Sequence, residues 1–232
     1  MAERRFVVEG PQAVREALAT LIELYTTDPA GPLAVAAAAL GVEVVEVSGQ
    51  VLAALGETVN PQGLVGVAPL LEGALPAASR LVAVLHEVND PGNAGTVIRT
   101  ADAAGADAVL LTGTSVDPYN GKCVRATAGS LWHLPIVTGT SLADGVLELR
   151  RTGMQVFATS GAGEADLFDL SGPELARPTA WLFGTEAHGL PEAARATADR
   201  RVRIPLRGRA ESLNLATAAA VCLYASARAQ RP

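Results

Sequence analysis

The chain has 232 residues, 49 % of them apolar and only 4 % aromatic, with a formal net charge of −6. That length allows an ample core in one large or two small domains, built mainly from Ala, Val and Leu. Two cysteines and three scattered histidines exclude a disulfide framework and a structural metal site, and point to a reducing cytosol.

The longest apolar run, at 33–40, is too short to span a bilayer, and the first residues lack the apolar stretch of a signal peptide. A helix is expected over 11–19, where PQAVREALA has helical spacing and Pro11 suits a first turn. A strand follows at 22–27, then a helix at 32–40 closed by Gly41 and an alternating strand at 42–47. A short helix at 48–55, capped by Ser48, leads to a strand at 63–70. This alternation predicts a small three-layer α/β domain over 1–72, with residues 73–79, rich in Gly, Pro, Ala and Ser, as a linker.

The second domain, 80–232, opens on LVAVLHEV at 81–88, a near-continuous apolar run typical of a buried parallel strand. Further strands are expected at 107–111, 135–137, 154–159, 179–184 and 201–204. Helices fall near 93–104, 118–126, 141–151, 190–197 and 212–229, which is the pattern of a doubly wound parallel sheet.

Charge is unevenly placed. Residues 1–79 hold three arginines against nine carboxylates, whereas residues 80–232 are neutral overall. Arg200, Arg201, Arg203, Arg207 and Arg209 fall within ten residues of that neutral part, so a nucleic-acid footprint belongs on the second domain.

Three stretches where a strand hands over to a helix collect glycines, prolines, amides, hydroxyls and a charge. They are NDPGNAGTVIRTA at 89–101, LFGTEAHGLP at 182–191 and IPLRGRAESLNLATAAAV at 204–221. Ligands of open α/β sheets gather at the carboxyl ends of strands, so three such junctions point to one composite pocket. GxxxxGK[ST] is absent, which disfavours phosphoryl transfer through a P-loop, and so is GxSxG, the nucleophile elbow of α/β hydrolases. Gly161-Ala162-Gly163 lacks a third glycine and sits late in the chain, so it reads as an ordinary loop.

In this order and spacing the three segments resemble the motifs of the SpoU (TrmH-like) family of RNA ribose 2′-O-methyltransferases, in the SPOUT superfamily. The first supplies Asn93 and Arg99, the second Gly184, Glu186, Gly189 and Leu190, and the third Pro205, Glu211, Ser212, Leu213 and Asn214. DPYNGKCVRATAGSLWHLP at 117–135 is similar to the family's connecting segment, with Lys122, Arg125 and Gly129 in place and Gly121 where a bulkier residue is expected. The first domain, with VVEGPQAVREAL at its start, resembles the substrate-binding domain of ribosomal-RNA members, whose fold is like that of a small ribosomal protein.

The resemblance implies a SPOUT α/β domain with a C-terminal trefoil knot, contrary to the usual absence of knots. It implies S-adenosyl-L-methionine bound at Thr159, Gly184, Glu186, Gly189, Leu190, Ile204, Leu206, Ser212, Leu213 and Asn214. Catalytic roles fall to Arg99, Asn93, Glu186, Ser212 and Asn214, and RNA contacts to Arg99, Lys122, Arg125, Arg200, Arg201 and Arg207. No metal is required, and a cytoplasmic homodimer through the C-terminal domains, free of membrane, is expected. Ribosomal RNA is the expected substrate. Transfer RNA, a non-catalytic RNA-binding protein of the same fold and a small-molecule-binding α/β protein stand as alternatives.

Plainer roles are open to several of these residues. Arg99 can pair with Asp102 or Asp107 on the surface, and Asn93 can cap its helix, contact substrate, or both. Glu211 and Ser212 are expected to open the last helix, where capping is the default, with Ser212 and Asn214 serving as both cap and site. Arg200, Arg201 and Arg203 can form a solvated face, His188 reads as incidental, and Trp132 and Trp181 as core. Methyl transfer from a sulfonium is an in-line displacement, so the protein must position the ribose hydroxyl. A guanidinium stays protonated, so Arg99 is read as a cation that binds the adjacent phosphate and stabilises the developing alkoxide. The proton leaves to phosphate, water or Glu186.

Overall fold

A computed structural model describes residues 4–58, 61–185 and 189–230. The first unit is a four-stranded sheet of β1 (Arg5–Glu9), β2 (Glu23–Thr26), β3 (Glu43–Glu46) and β4 (Leu64–Pro69), in the order β1–β4–β2–β3. β4 pairs antiparallel with both β1 and β2, and β2 pairs parallel with β3. Helices α1 (Pro11–Ala17), α2 (Pro32–Ala39) and α3 (Gly49–Leu55) join them. Pro11 and Pro32 start their helices where a missing N–H costs nothing. Ser48 caps α3 by accepting from the Val51 N–H at 3.3 Å.

β1 is the element that hydropathy does not announce. Its last residue, Glu9, is a buried carboxylate that breaks the apolar pattern. It accepts from the backbone N–H of Glu57 at 2.6 Å and of Thr58 at 3.2 Å, and from Arg125 at 3.2 Å. Those partners are invisible to a local reading.

The second unit is a seven-stranded, all-parallel sheet. Its strands are β5 (Leu81–His86), β6 (Ala108–Thr112), β7 (Ile136–Thr140), β8 (Gln155–Thr159), β9 (Ala165–Asp166), β10 (Thr179–Phe183) and β11 (Arg200–Arg203), in the order β7–β6–β5–β10–β8–β11–β9. The helices are α4 (Pro91–Ala104), α5 (Gly121–Thr127), α6 (Leu142–Arg151), α7 (Gly172–Leu175), α8 (Glu192–Arg195) and α9 (Leu215–Gln230). The two-residue β9 and four-residue α7 are too short to leave a periodic signal.

Every residue of β10 is buried, as expected of a strand covered on both faces. Its side chains alternate between two cores. Trp181 and Phe183 join Val97, Ile98 and Leu223 on one face, while Ala180 and Leu182 join Val146 and Leu149 on the other. α9 is held into the first core by a buried hydrogen bond in which Trp181 Nε1 donates to Ser226 Oγ at 2.9 Å.

The same core runs on into the first unit through Phe6, Val8 and Val14. Phe6 packs 4.8 Å from Tyr119 and 6.0 Å from Trp132, and Trp132 Nε1 donates to Thr20 at 3.1 Å. Trp132 thus packs at the joint between the units, and Trp181 in the centre of the larger one. Among the described residues no helix is long and apolar enough to cross a membrane, and no cluster of His, Cys, Asp or Glu is arranged to hold a metal ion.

His133 closes the joint. Its Nδ1 lies 2.8 Å from Asp102 on α4 and its Nε2 3.3 Å from Glu16 on α1. A neutral ring would leave one unprotonated nitrogen facing a carboxylate, so the pair favours the cation. The hydrogen bond to Asp102, then that to Glu16, raises the imidazole above its ordinary value, with burial opposing. A raised folded value means stability that is fully present below the unfolded value and lost as pH rises through the folded one. Urea unfolding should therefore show wild type losing more stability than His133→Gln as pH rises from about 6 to about 8. Parallel curves for the two proteins would refute the clasp.

Candidate active site

The carboxyl ends of β8, β10 and β11 open onto a cavity of about 530 Å³. Thr159, Gly184, Gly189, Leu190, Ile204, Leu206, Ser212 and Leu213 all border it. Asn214 does not, and Glu186 and His188 lie outside the described residues. Ser160, Gly161 and Ala162 also line it. Sequence reasoning set that loop aside for lacking a dinucleotide fingerprint, yet its place after β8 was the usable signal.

The two glycines of the second motif act differently from one another. Gly184 is among the residues the resemblance assigns to the donor, and it borders the cavity. A Cβ there would stand 2.4 Å from Gly189 C and 2.5 Å from Leu190 N. Thr185 and Gly189 exchange backbone hydrogen bonds at 3.2 and 2.9 Å, so Gly184 is required by the close approach of the Gly189 and Leu190 backbone. Gly189 has a φ of +65°, and a Cβ on it would meet nothing.

S-adenosylmethionine fits this donor set. The walls combine backbone groups at strand ends with apolar side chains, and the volume is that of a small-molecule site. Leu206 and Leu213 are large apolar side chains left exposed, and both stand at this cavity, where a flat ring would cover them.

Next to the cavity two helix N-termini meet. Asp90 caps α4, accepting from the Asn93 N–H at 2.7 Å, so Asn93 is not the cap. Asp90 is the better placed acceptor because Pro91 takes the first helical position. The Asn93 side chain accepts instead from Asn214 Nδ2 at 3.0 Å. Asn214 Oδ1 accepts from the Ala216 N–H at 2.9 Å, capping α9, which leaves only its NH₂ to face Asn93. Glu211 and Ser212 therefore precede the helix rather than open it, and both border the cavity. Converging N-termini give the site a positive field suited to a phosphate or a developing alkoxide.

Arg99 lies on α4, about 9 Å along the axis from Asn93 at 1.5 Å per residue. It is exposed, and among the described residues it has no hydrogen bond or ion pair. Both carboxylates considered as surface partners are taken. Asp102 holds His133, and Asp107 accepts from the N–H groups of Arg80 and Leu81. Lys122 Nζ lies 3.0 Å from Asp90, tying α5 to the cap of α4. The Asn93 N–H, then Lys122, hold the Asp90 carboxyl below its usual range. α4 and α5 touch through Gly95, where a Cβ would stand 2.5 Å from Cys123 O. Burial pushes the Cys123 thiol up to about 12 and raises that of Cys222, so neither is poised as a nucleophile.

The arginines of the expected RNA surface are not equivalent. Arg125 pairs with Glu9 and Glu57, Arg200 with Glu174 at 2.9 Å, and Arg201 with Glu192 at 2.8 Å. Arg207 is exposed and has no ion pair among the described residues. Its charge is not offset, so Arg207→Gln should lower the log–log salt slope of RNA binding by about 1. Arg200→Gln should lower it less, because Glu174 already offsets that charge. Filter binding across a salt series distinguishes the two, and equal slopes would remove this ranking.

Residues 80–224 match the model of the SpoU rRNA Methylase family, and residues 1–66 that of the MRM3-like substrate binding domain. A 23S rRNA (guanosine(2553)-2′-O)-methyltransferase RlmP from Bacillus subtilis (strain 168) is 35 % identical over 226 residues, covering 94 % of this chain and 87 % of the relative. The AdoMet-bound rRNA methyltransferase from Sinorhizobium meliloti superposes with a TM-score of 0.85 at 36 % identity, over 97 % of this chain and 87 % of that one. The SpoU methyltransferase AviRb from Streptomyces viridochromogenes, in complex with AdoMet, gives a TM-score of 0.85 at 28 % identity, over 97 % and 90 %. Sequence motifs, fold and these likenesses agree: the chain belongs to the SpoU rRNA methylase family.

Proposed function

We propose that the protein methylates a ribose 2′-hydroxyl of ribosomal RNA with S-adenosylmethionine as donor. The observation that carries this reading is the Asn93–Asn214 bridge between two helix N-termini, set beside a backbone-walled cavity and an exposed, unpaired Arg99. Relatives that span almost the whole chain are rRNA methyltransferases, two of them crystallised with AdoMet. The first unit, matching a substrate-binding domain, favours ribosomal over transfer RNA.

Bound S-adenosylmethionine supplies an electrophilic methyl group. Backbone groups at 159–162 and around Gly189 hold it, with Ile204, Leu206 and Leu213 against its ring. Arg99 grips the phosphate next to the target and stabilises charge growing on the 2′-oxygen. Asn93, oriented by Asn214, positions the ribose. Proton removal falls to the phosphate, to water or to Glu186.

The same reading takes the C-terminal segment through a trefoil knot and places two copies together through their second units. Tyr224, half exposed on α9, suits such a contact. The two buried free cysteines suit the cytoplasm. Incubating the protein with tritiated donor and ribosomal RNA from a deletion strain, then mapping the nucleotide, tests the reading. A 2′-O-methyl on one rRNA nucleotide is expected. Label on transfer RNA alone, or on no RNA, overturns it, and sedimentation as a monomer at micromolar concentration removes the dimer.

A further inference from the structure

A second cavity, of about 330 Å³, lies where the two units meet. Its walls include Gly10 and Pro11 at the turn into α1, Pro61, Gln62 and Leu64 leading into β4, and Arg125 on α5. Glu9 borders it with a side chain only 5 % exposed. A carboxylate is buried to that degree only when its lone pairs are filled. Here two backbone N–H groups and Arg125 fill them, and these partners tie two separate stretches of chain, 57–58 and α5, to the end of β1.

Among the described residues the cavity offers a free hydrogen-bonding edge and no free charge. Gln12 has both ends of its amide engaged, by Glu16 and Arg15. Gln62 is exposed, and among the described residues its amide makes no hydrogen bond. Its Oε1 lies 3.2 Å from where a Cβ on Gly10 would stand, so the glycine, at φ +89°, lets the amide lie against the turn. Arg125 is the cation of the lining, and it lies 3.2 Å from Glu9 and 3.7 Å from Glu57. No positive charge is left to attract a phosphate. A flat, neutral ring with a polar edge suits apolar walls and one free amide, since a Gln amide can pair with a base edge in two bonds.

Position supplies the second argument. Arg125 stands one turn of α5 beyond Lys122, and Lys122 is bonded to Asp90, the cap of the helix that carries Asn93 and Arg99. A strand with its ribose at Asn93 can run along α5 to the cavity. The geometry points to this cavity as the pocket for one unstacked nucleobase of the substrate RNA, close to the methylated ribose and read by Gln62; the inference rests on the proposed rRNA methylation.

Gln62→Ala removes an exposed side chain without internal bonds, so the fold should persist. The KM for ribosomal RNA should rise about tenfold, within the range of a lost two-bond base contact, with kcat at saturating RNA and donor affinity unchanged. Both native cysteines are buried, so Gln62→Cys can be labelled alone with a benzophenone maleimide. On irradiation with unmodified ribosomal RNA the label should join one nucleotide near the methylated ribose. An unchanged KM in Gln62→Ala, or a label that attaches only to polypeptide when ribosomal particles are offered, overturns the pocket. If wild type methylates rRNA and the label finds no RNA, the pocket alone falls. If wild type methylates nothing while the label still marks one nucleotide, the catalytic reading falls and the pocket stands.

Discussion

Arg99→Ala is expected to lower kcat by about 10²–10³, the loss typical of removing one group that stabilises charge in a transition state. The donor's affinity should stay at the wild-type level, because Arg99 does not line the cofactor cavity. Stability should also hold, since an exposed guanidinium without a partner among the described residues supports no contact of the fold. Single-turnover methylation with saturating RNA isolates the chemical step, and calorimetry reads donor binding. Arg99→Lys should recover only part of the loss, since an ammonium is a point charge without the planar fork that matches phosphate. A variant with normal turnover and lost donor affinity would put Arg99 on the wrong ligand.

Gly184→Ala should weaken donor binding roughly 5- to 150-fold, the cost of a forced shift in a packed region being about 1–3 kcal/mol. The new methyl would press on the backbone of Gly189 and Leu190, and backbone cannot step aside as a flexible side chain can. Pushing the Gly189 backbone away from Thr185 displaces Leu190, which is buried and borders the cavity. Gly189→Ala should do less harm, since it meets only the strain of a positive φ. The ranking is the test. If calorimetry finds Gly189→Ala the more damaging, then the ligand and not the chain occupies the space beside these glycines.

How much of this was legible follows from where each residue's partners lie. β5 and β10 announce themselves because both faces are covered, so every residue except His86 at the end of β5 is apolar or small. β1 stays hidden because Glu9 is buried by partners 48, 49 and 116 residues away. The second and third motifs were readable as one pocket from their place at strand ends, and eight of the ten residues expected around the donor do border the cavity. No residue of the first motif lines it, and Asn93 reaches the third through Asn214. Local reading named Asn214 as a cap, which it is, but could not separate it from Ser212, nor Asp90 from Asn93. Asn93 and Ser212 are sound capping types, but Asp90 and Asn214 hold those positions, and the choice depends on where each helix is cut. The loop at 160–162 was discounted because a missing glycine was weighed above its place after a strand.

The amide bridge between Asn93 and Asn214 spans 121 residues of chain. During synthesis the first of these leaves the ribosome well before the second, and α9, whose cap completes the pair, follows every strand of the large sheet. A nascent chain can therefore fold its first unit and much of the large sheet while its reaction centre is still in two unconnected pieces. Activity would appear all at once, when the final helix docks against Trp181 and Ser226 finds its donor.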